Sequence, residues 1–197
     1  MTSRASRVRD IRMPKALHDV FGEVQSPVEL ALMVVGGLAL AAVVCLAGAE
    51  SLADVAWWRA VIAVLLVADI CCGAVANFTR GTDRYYAERP RNRWVFIAVH
   101  WHLAVIALAL GEGFWFALAV TTYTLVGASA VNLLHGSRLQ QPVGGLVLAF
   151  GLAGVVIWAM TDVAPLLLLV AAALFLLKVA YAFAVAHHPA GMENPLR

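Results

Sequence analysis

Apolar residues in this chain neither alternate nor recur once per turn. They run unbroken for about twenty positions at a time, separated by short clusters rich in Arg, Asp, Glu, Gly and Pro. Inside hydrocarbon a backbone must satisfy its own hydrogen bonds, which leaves only helices or closed barrels. Barrel strands would alternate between lipid-facing and interior residues, and these runs do not. They are expected to be helices, placed at Pro27–Ala49, Trp58–Phe78, Trp94–Leu110, Phe114–Leu134, Val143–Met160 and Pro165–Ala186. Each is long enough to cross ~30 Å of hydrocarbon with some tilt. The connections are short, Gly111–Gly113 above all, so sequence neighbours should be antiparallel neighbours. The expected fold is an all-α, polytopic bundle of six transmembrane helices at 27–186. A basic, amphipathic N-terminal segment (1–26) precedes it and a short tail (187–197) follows.

The ends of these runs carry helix punctuation. Ser26-Pro27-Val28-Glu29 has the form of a capping box with proline in the first turn. Pro142 precedes the fifth run, Asp162 and Pro165 precede the sixth, and Gly111 and Gly113 flank the turn between the third and fourth. Upstream, Val8, Ile11, Leu17, Val20 and Phe21 recur at roughly helical spacing among charged residues, and Pro14 can open a short helix to Glu23. This predicts an interfacial helix drawn to anionic lipid, and the long charged stretch does not read as a secretory signal.

Composition agrees with lipid as the solvent: 62% of the 197 residues are apolar and only 13% charged. A net charge of +2 is far too small for a surface that tracks nucleic-acid phosphates. The three cysteines, Cys45, Cys71 and Cys72, lie in apolar runs without a CxxC motif, which argues against thiol redox chemistry and c-type haem. Arg4, Arg7, Arg9, Arg12 and Lys15 precede the first run; Arg80, Arg84, Arg89, Arg91 and Arg93 lie between the second and third; Arg138 follows the fourth and Arg197 ends the chain. The opposite connections hold Glu50, Asp54, Glu112 and Asp162, with Arg59 as their one basic residue. The positive-inside rule then places both termini in the cytoplasm, with the protein integral to the inner (plasma) membrane.

Polar residues inside the runs are the candidates for chemistry. Asp69 lies near the middle of the second run with no Lys or Arg within a helical turn, so it must be protonated, paired across helices or facing a wet cavity. Gly73, Ala76, Asn77 and Arg80 continue its face at three- and four-residue steps. The segment from Arg80 to Arg91 offers Arg80, Arg84, Arg89 and Tyr85 to an anionic head group, or serves simply as a positive loop with tyrosine anchors. His100 and His102 are two residues apart and on a regular helix face nearly opposite ways, which makes them poor partners in one metal site. On the fourth run Thr121, Thr124, Ala128, Asn132 and His135 form a small-to-polar stripe. With the termini inside, Asn77, His100, Asn132, His135, Tyr181, His187 and His188 all fall in the cytoplasmic half. That clustering predicts a polar pocket open to the cytoplasmic side. Asp69, His100 and His135 are its expected acid–base groups, and Asn77, Arg80, Arg84, Tyr85, Arg89, Asn132 and Tyr181 its substrate contacts. No HExxH or tight histidine cluster supplies metal spacing, so no metal and no cofactor are expected.

Three motifs resemble those of membrane enzymes without completing them. Phe96-x-x-x-His100 resembles a motif of CAAX-type intramembrane proteases but lacks the preceding glutamate pair. Gly127-Ala128-Ser129 is similar to a rhomboid nucleophile motif, with Ala130 in place of its second glycine. Arg89-Pro90 resembles the end of a lipid-phosphatase signature whose lysine position holds Thr82. Size and span number resemble the substrate-capture subunits of energy-coupling vitamin transporters. The function expected is an enzyme acting on an amphiphilic lipid or isoprenoid-like molecule. Its partners are membrane lipids, that substrate and, in some form, a second copy of the chain. A transporter of a small solute or ion using the same residues is the alternative, and a quinone or haem electron carrier is a weaker third. Topology is directly testable. In a cysteine-free background, Cys introduced at Ser51 and at Ser137 should react with an impermeant thiol reagent from opposite sides, Ser137 from the cytoplasm alone. Labelling of both from one side would contradict six spans.

Overall fold

The computed structural model describes residues 10–161 and 164–188. Arg4, Arg7, Val8, Arg9, Asp162 and Arg197, which entered the charge and capping arguments, lie outside the described residues, as does the tail beyond His188. Six helices are long and apolar enough to cross a membrane. We label them α2 (Pro27–Ala47), α3 (Trp57–Ala76), α5 (Pro90–Leu110), α6 (Phe114–Leu133), α7 (Gln140–Ala159) and α8 (Leu166–Phe183). Before them lie α1 (His18–Phe21) and a two-residue antiparallel ladder of β1 (Ile11–Arg12) and β2 (Val24–Gln25). The Arg80–Ala87 stretch, expected as a loop, is a short helix, α4.

The capping box at the start of α2 is formed on both sides. Ser26 Oγ accepts from the Glu29 N–H, and Glu29 Oε2 accepts from the Ser26 N–H at 3.1 Å. Pro90 stands in the first turn of α5 and starts that helix four residues earlier than expected. Gly111 and Gly113 both have positive φ, which lets two residues turn the chain tightly from α5 into α6.

The axis of the bundle is α8. It is apolar on every side but for Lys178 and packs against α2, α3, α5, α6 and α7, which is where a helix so nearly all-round apolar belongs. Leu167, Leu168, Ala172, Phe175, Leu176 and Val179 are fully enclosed. The small-to-polar stripe of α6 turns inward as well: Thr121, Thr124 and Ala128 are buried, and Thr124 bonds back to the Val120 carbonyl. These residues pack helices together and lie outside the cavity described below.

The far end of α8 needs partners for its last carbonyls. Arg93 supplies them. Its buried guanidinium donates through Nη2 to the Ala184 carbonyl at 2.9 Å and through Nε to Asn132 Oδ1 at 2.6 Å. Gln140 adds a donation to Ala184, and the Asp83 carboxylate accepts from the His187 and His188 N–H groups. Arg93 and Asn132, two residues read as loop charge and as substrate contact, therefore form the clasp that ties α5 and α6 to the end of α8.

The short helix expected from Pro14 to Glu23 is present over 15–21, as a 3-10 turn (Lys15–Leu17) running into α1, and the segment that holds it is folded onto this same end. Gly22, at φ +69°, ends α1 and crosses so close to Gly81 of α4 that a side chain would strike the Gly81 backbone. Tyr85 donates to the Asp19 carboxylate and Tyr86 to the Asp19 carbonyl, each at 2.8 Å, and Arg89 pairs with Glu23 at 2.5 Å. Burial, and then the Asp19 carboxylate, raise both phenol pKa values, so the tyrosines stay protonated donors. The clasp carries a prediction. Arg93→Lys keeps the charge but not the fork of donors, so a buried acceptor loses its partner; the variant should lose about 1–3 kcal/mol of stability in detergent. An unchanged melting curve would show that the clasp does not hold α8.

Candidate functional site

Asp69 does not sit alone. Across the bundle, Lys178 of α8 places Nζ 2.5 Å from Asp69 Oδ2, and Nζ also donates to the Asp69 carbonyl at 3.3 Å. Lys178 is only 3% exposed. Of the three options open to an intramembrane carboxylate, two are combined: Asp69 pairs across helices and also faces a cavity. Two neighbours make the lysine fit. Gly73, one turn below Asp69, leaves room for the Lys178 stem, whose Cε would collide with any Cβ there. Asn77, one turn further, donates to the Lys178 carbonyl at 3.1 Å. The same stretch of α8, Leu177–Phe183, is wound as a π-helix, a form that recurs at functional sites.

Two imidazoles complete the cluster. On a regular helix His100 and His102 would point nearly opposite ways, but α5 is not regular. It breaks between Val99 and His102: His100 has φ −83° and ψ 65°, and the Trp101 N–H bonds to the Val99 carbonyl, closing an inverse γ-turn. The cause lies in His100 itself. Its ring Nδ1 pairs with the Phe96 carbonyl, the group that its own backbone N–H would bond in an α-helix. The break swings both rings to one side, with centroids 4.8 Å apart, and His102 Nε2 comes to 3.5 Å from Asp69 Oδ2. His100 is further fixed in a column of rings, stacked on Phe96, which stacks on Phe183. One ligand atom from each of Asp69, His100 and His102 lies within 4.8 Å of the others. The spacing argument against a shared metal site is thereby overturned: these three could hold an ion.

The cluster forms the polar end of a cavity of about 590 Å³. Its floor is α3 (Asp69, Cys72, Gly73, Ala76, Asn77), and its walls are α2 (Met33, Val34, Leu38) and α5 (Val95, Phe96, Val99). Both walls pack on α3. Their rims are exposed apolar side chains, Leu38 at 51% and Val99 at 60%, facing the space that hydrocarbon would fill. Asp19, Val20 and Phe21 of the N-terminal segment and Tyr86 of α4 close the end nearest the arginines.

The residues expected to share one pocket divide into separate places. Asp69, His100 and Asn77 meet at the cavity. Arg80, Arg84, Tyr85 and Arg89 line a second hollow on the other side of the N-terminal segment, among Asp10, Glu23, Glu29 and Glu88, and Arg89 is already paired with Glu23. His135 is exposed at the end of α6, 3.4 Å from Gln140, and shares no cavity with Asp69. Asn132 belongs to the Arg93 clasp, and Tyr181 packs near Phe78 and His187. His102 and Lys178 were missed as site residues. Lys178 had a signal as plain as that of Asp69, a lone ionisable residue amid an apolar run. His102 had the same signal as His100, an ionisable ring in an apolar run, but a regular helix lets only one of the two face inward, and the break brings in both.

No protein-family model, no curated protein and no solved structure matches this chain. The site therefore stands on its own chemistry.

Its central contact makes a prediction. Lys178→Met removes the buried partner of Asp69, whose own side chain is 46% exposed, and should destabilise the bundle by about 1–3 kcal/mol. Adding Asp69→Leu should recover most of that loss. Equal stability of the single and double variants would show that the pair does not couple α3 to α8.

Proposed function

We propose that the protein is a membrane-embedded enzyme acting on an amphiphilic, lipid or isoprenoid-like molecule. The observation that carries this reading is the shape and lining of one cavity. Apolar walls rise on either side, from α2 and α5, and the ionisable cluster of Asp69, Lys178, His100 and His102 gathers at one end, away from Asp19 and Tyr86. An apolar tail entering from the bilayer would lie along Met33, Leu38 and Val99, bringing its head to the cluster. A cavity near 590 Å³ is in the range that holds a molecule of drug size. Proton transfer at the cluster is the proposed chemistry, with Asn77 and Lys178 orienting the groups that carry it. In the cell we place the protein in the inner membrane with both termini cytoplasmic, on the strength of the basic residues at 80–93 and Arg138.

The broken α5 supports a second reading. Helices interrupted near the middle of a bilayer often bind solutes or coupling ions in transporters, and His100 lies at such a break.

The two readings separate in one experiment. Protein purified in mild detergent is surveyed by mass spectrometry for bound molecules, then returned to vesicles made from the extracted lipids. Wild type and Asp69→Asn should both retain an amphiphile, since the amide preserves the side chain's size. Only wild type should convert it, with Asp69→Asn slower by at least 100-fold. Retention of a water-soluble solute, with Asp69-dependent uptake and no chemical conversion, would overturn the enzyme in favour of the transporter.

A further inference from the structure

We infer that Asp69, His100 and His102 bind a divalent transition-metal ion at the polar end of the cavity. The inference deepens the proposed function and rests on its reading of that end as the reaction centre. Two imidazoles and a carboxylate suit zinc, iron or cobalt, and a three-residue set leaves coordination positions open toward the cavity. The ligand atoms lie within 4.8 Å of one another. In a tetrahedral shell with bonds of ~2.1 Å neighbouring ligand atoms lie ~3.4 Å apart, so an ion would draw the most distant pair together by up to about 1.4 Å, within reach of side-chain rotation.

Three features of the surroundings fit an ion better than bare acid–base groups. His100 commits Nδ1 to the Phe96 carbonyl, which leaves Nε2 as its free atom. Metal-binding histidines are ordinarily held that way by their second nitrogen. His102 turns Nε2 toward Asp69, and its buried Nδ1 has no hydrogen-bond partner among the described residues. The polar contacts of the Asp69 carboxylate fall on Oδ2, leaving Oδ1 free of partners among the described residues. Lys178 then orients the carboxylate from behind, and it is not a ligand. The helix break gains a purpose in this arrangement, because without it His102 would not reach the site. A bound ion would acidify a water at the open position, which supplies the proton-accepting group of the proposed chemistry.

The test uses full-length protein purified without a histidine tag, with His187 and His188 replaced by Ala to remove the other adjacent pair. Metal content is measured by mass spectrometry after loading with Zn²⁺ and removal of excess. Loading with Co²⁺ is followed by visible absorption. The expected result is about one ion per chain, cobalt bands of a nitrogen- and oxygen-ligated site, and affinity at least 10-fold weaker in His102→Gln and in Asp69→Asn. Zn²⁺ should also raise the melting temperature of Lys178→Met more than that of the parent, because the ion restores positive charge beside Asp69. Should the ligand variants fail to fold, that comparison and the cobalt spectrum of the parent decide alone. A parent protein that binds neither ion, or variants that bind as tightly as the parent, would overturn the metal site. Because retention of an amphiphile is read separately, an empty metal site with a filled cavity removes the ion alone, and the reverse removes the cavity reading.

Discussion

A carboxylate and an ammonium held together inside a membrane constrain everything around them. Removing either charge from water costs several kcal/mol, and only close pairing with further hydrogen bonds repays it. The Asp69–Lys178 contact therefore fixes the register of α3 against α8, because neither helix can slide or rotate without stranding a charge. Since α8 is also the helix on which the others pack, this one contact sets the position of the core relative to the cavity floor. The arrangement of Gly73 and Asn77 follows from it: a missing side chain admits the lysine stem, and an amide caps the lysine carbonyl.

A second constraint acts at the arginine-rich end. There the last carbonyls of α8 are bound by Arg93, held in turn by Asn132, and the following N–H groups are bound by Asp83. The stacked rings of Phe183, Phe96 and His100 run from that clasp towards the ion pair. His100 is thus placed from both directions, by stacking and by the Phe96 carbonyl. Rigid support of this kind is what a reacting group needs, since small misplacements are costly to catalysis. The N-terminal segment is tied to α4 by Asp19, Glu23 and Gln25 and supplies Val20 and Phe21 to the cavity wall. It is thereby part of the site's enclosure.

The sequence made the architecture plain and the site only half visible. Six spans, their antiparallel order, the capping box at Ser26 and the need of Asp69 for a partner across helices follow from composition, spacing and the cost of charge in hydrocarbon. Span ends shifted by a few residues because Pro90 and Gln140 begin helices inside stretches that hydropathy assigns to loops. What could not be read was geometry that depends on departures from regular helix. The turn at His100 reverses the facing of His102, and it arises from a side chain competing for a backbone acceptor, which periodicity does not register. Depth alone also misled. His135, Asn132 and the arginines share a level with the cavity but point to other neighbours, so a common half of the bilayer did not mean a common pocket. Lys178 shows the opposite failing, a legible signal set aside in a run so apolar that it invites reading as packing.

An amphiphile admitted between α2 and α5, with its head at the Asp69 cluster, is the central element of the proposed function. Its most direct measurement is photo-crosslinking in vesicles with a fatty-chain probe carrying a diazirine near the head, followed by peptide mapping. Label concentrated on Met33, Leu38, Val99 and the residues beside His100, and lost when Val99→Trp fills the gap, is the result expected. Label spread evenly over the lipid-facing surfaces of all six helices, and unchanged by Val99→Trp, would contradict it.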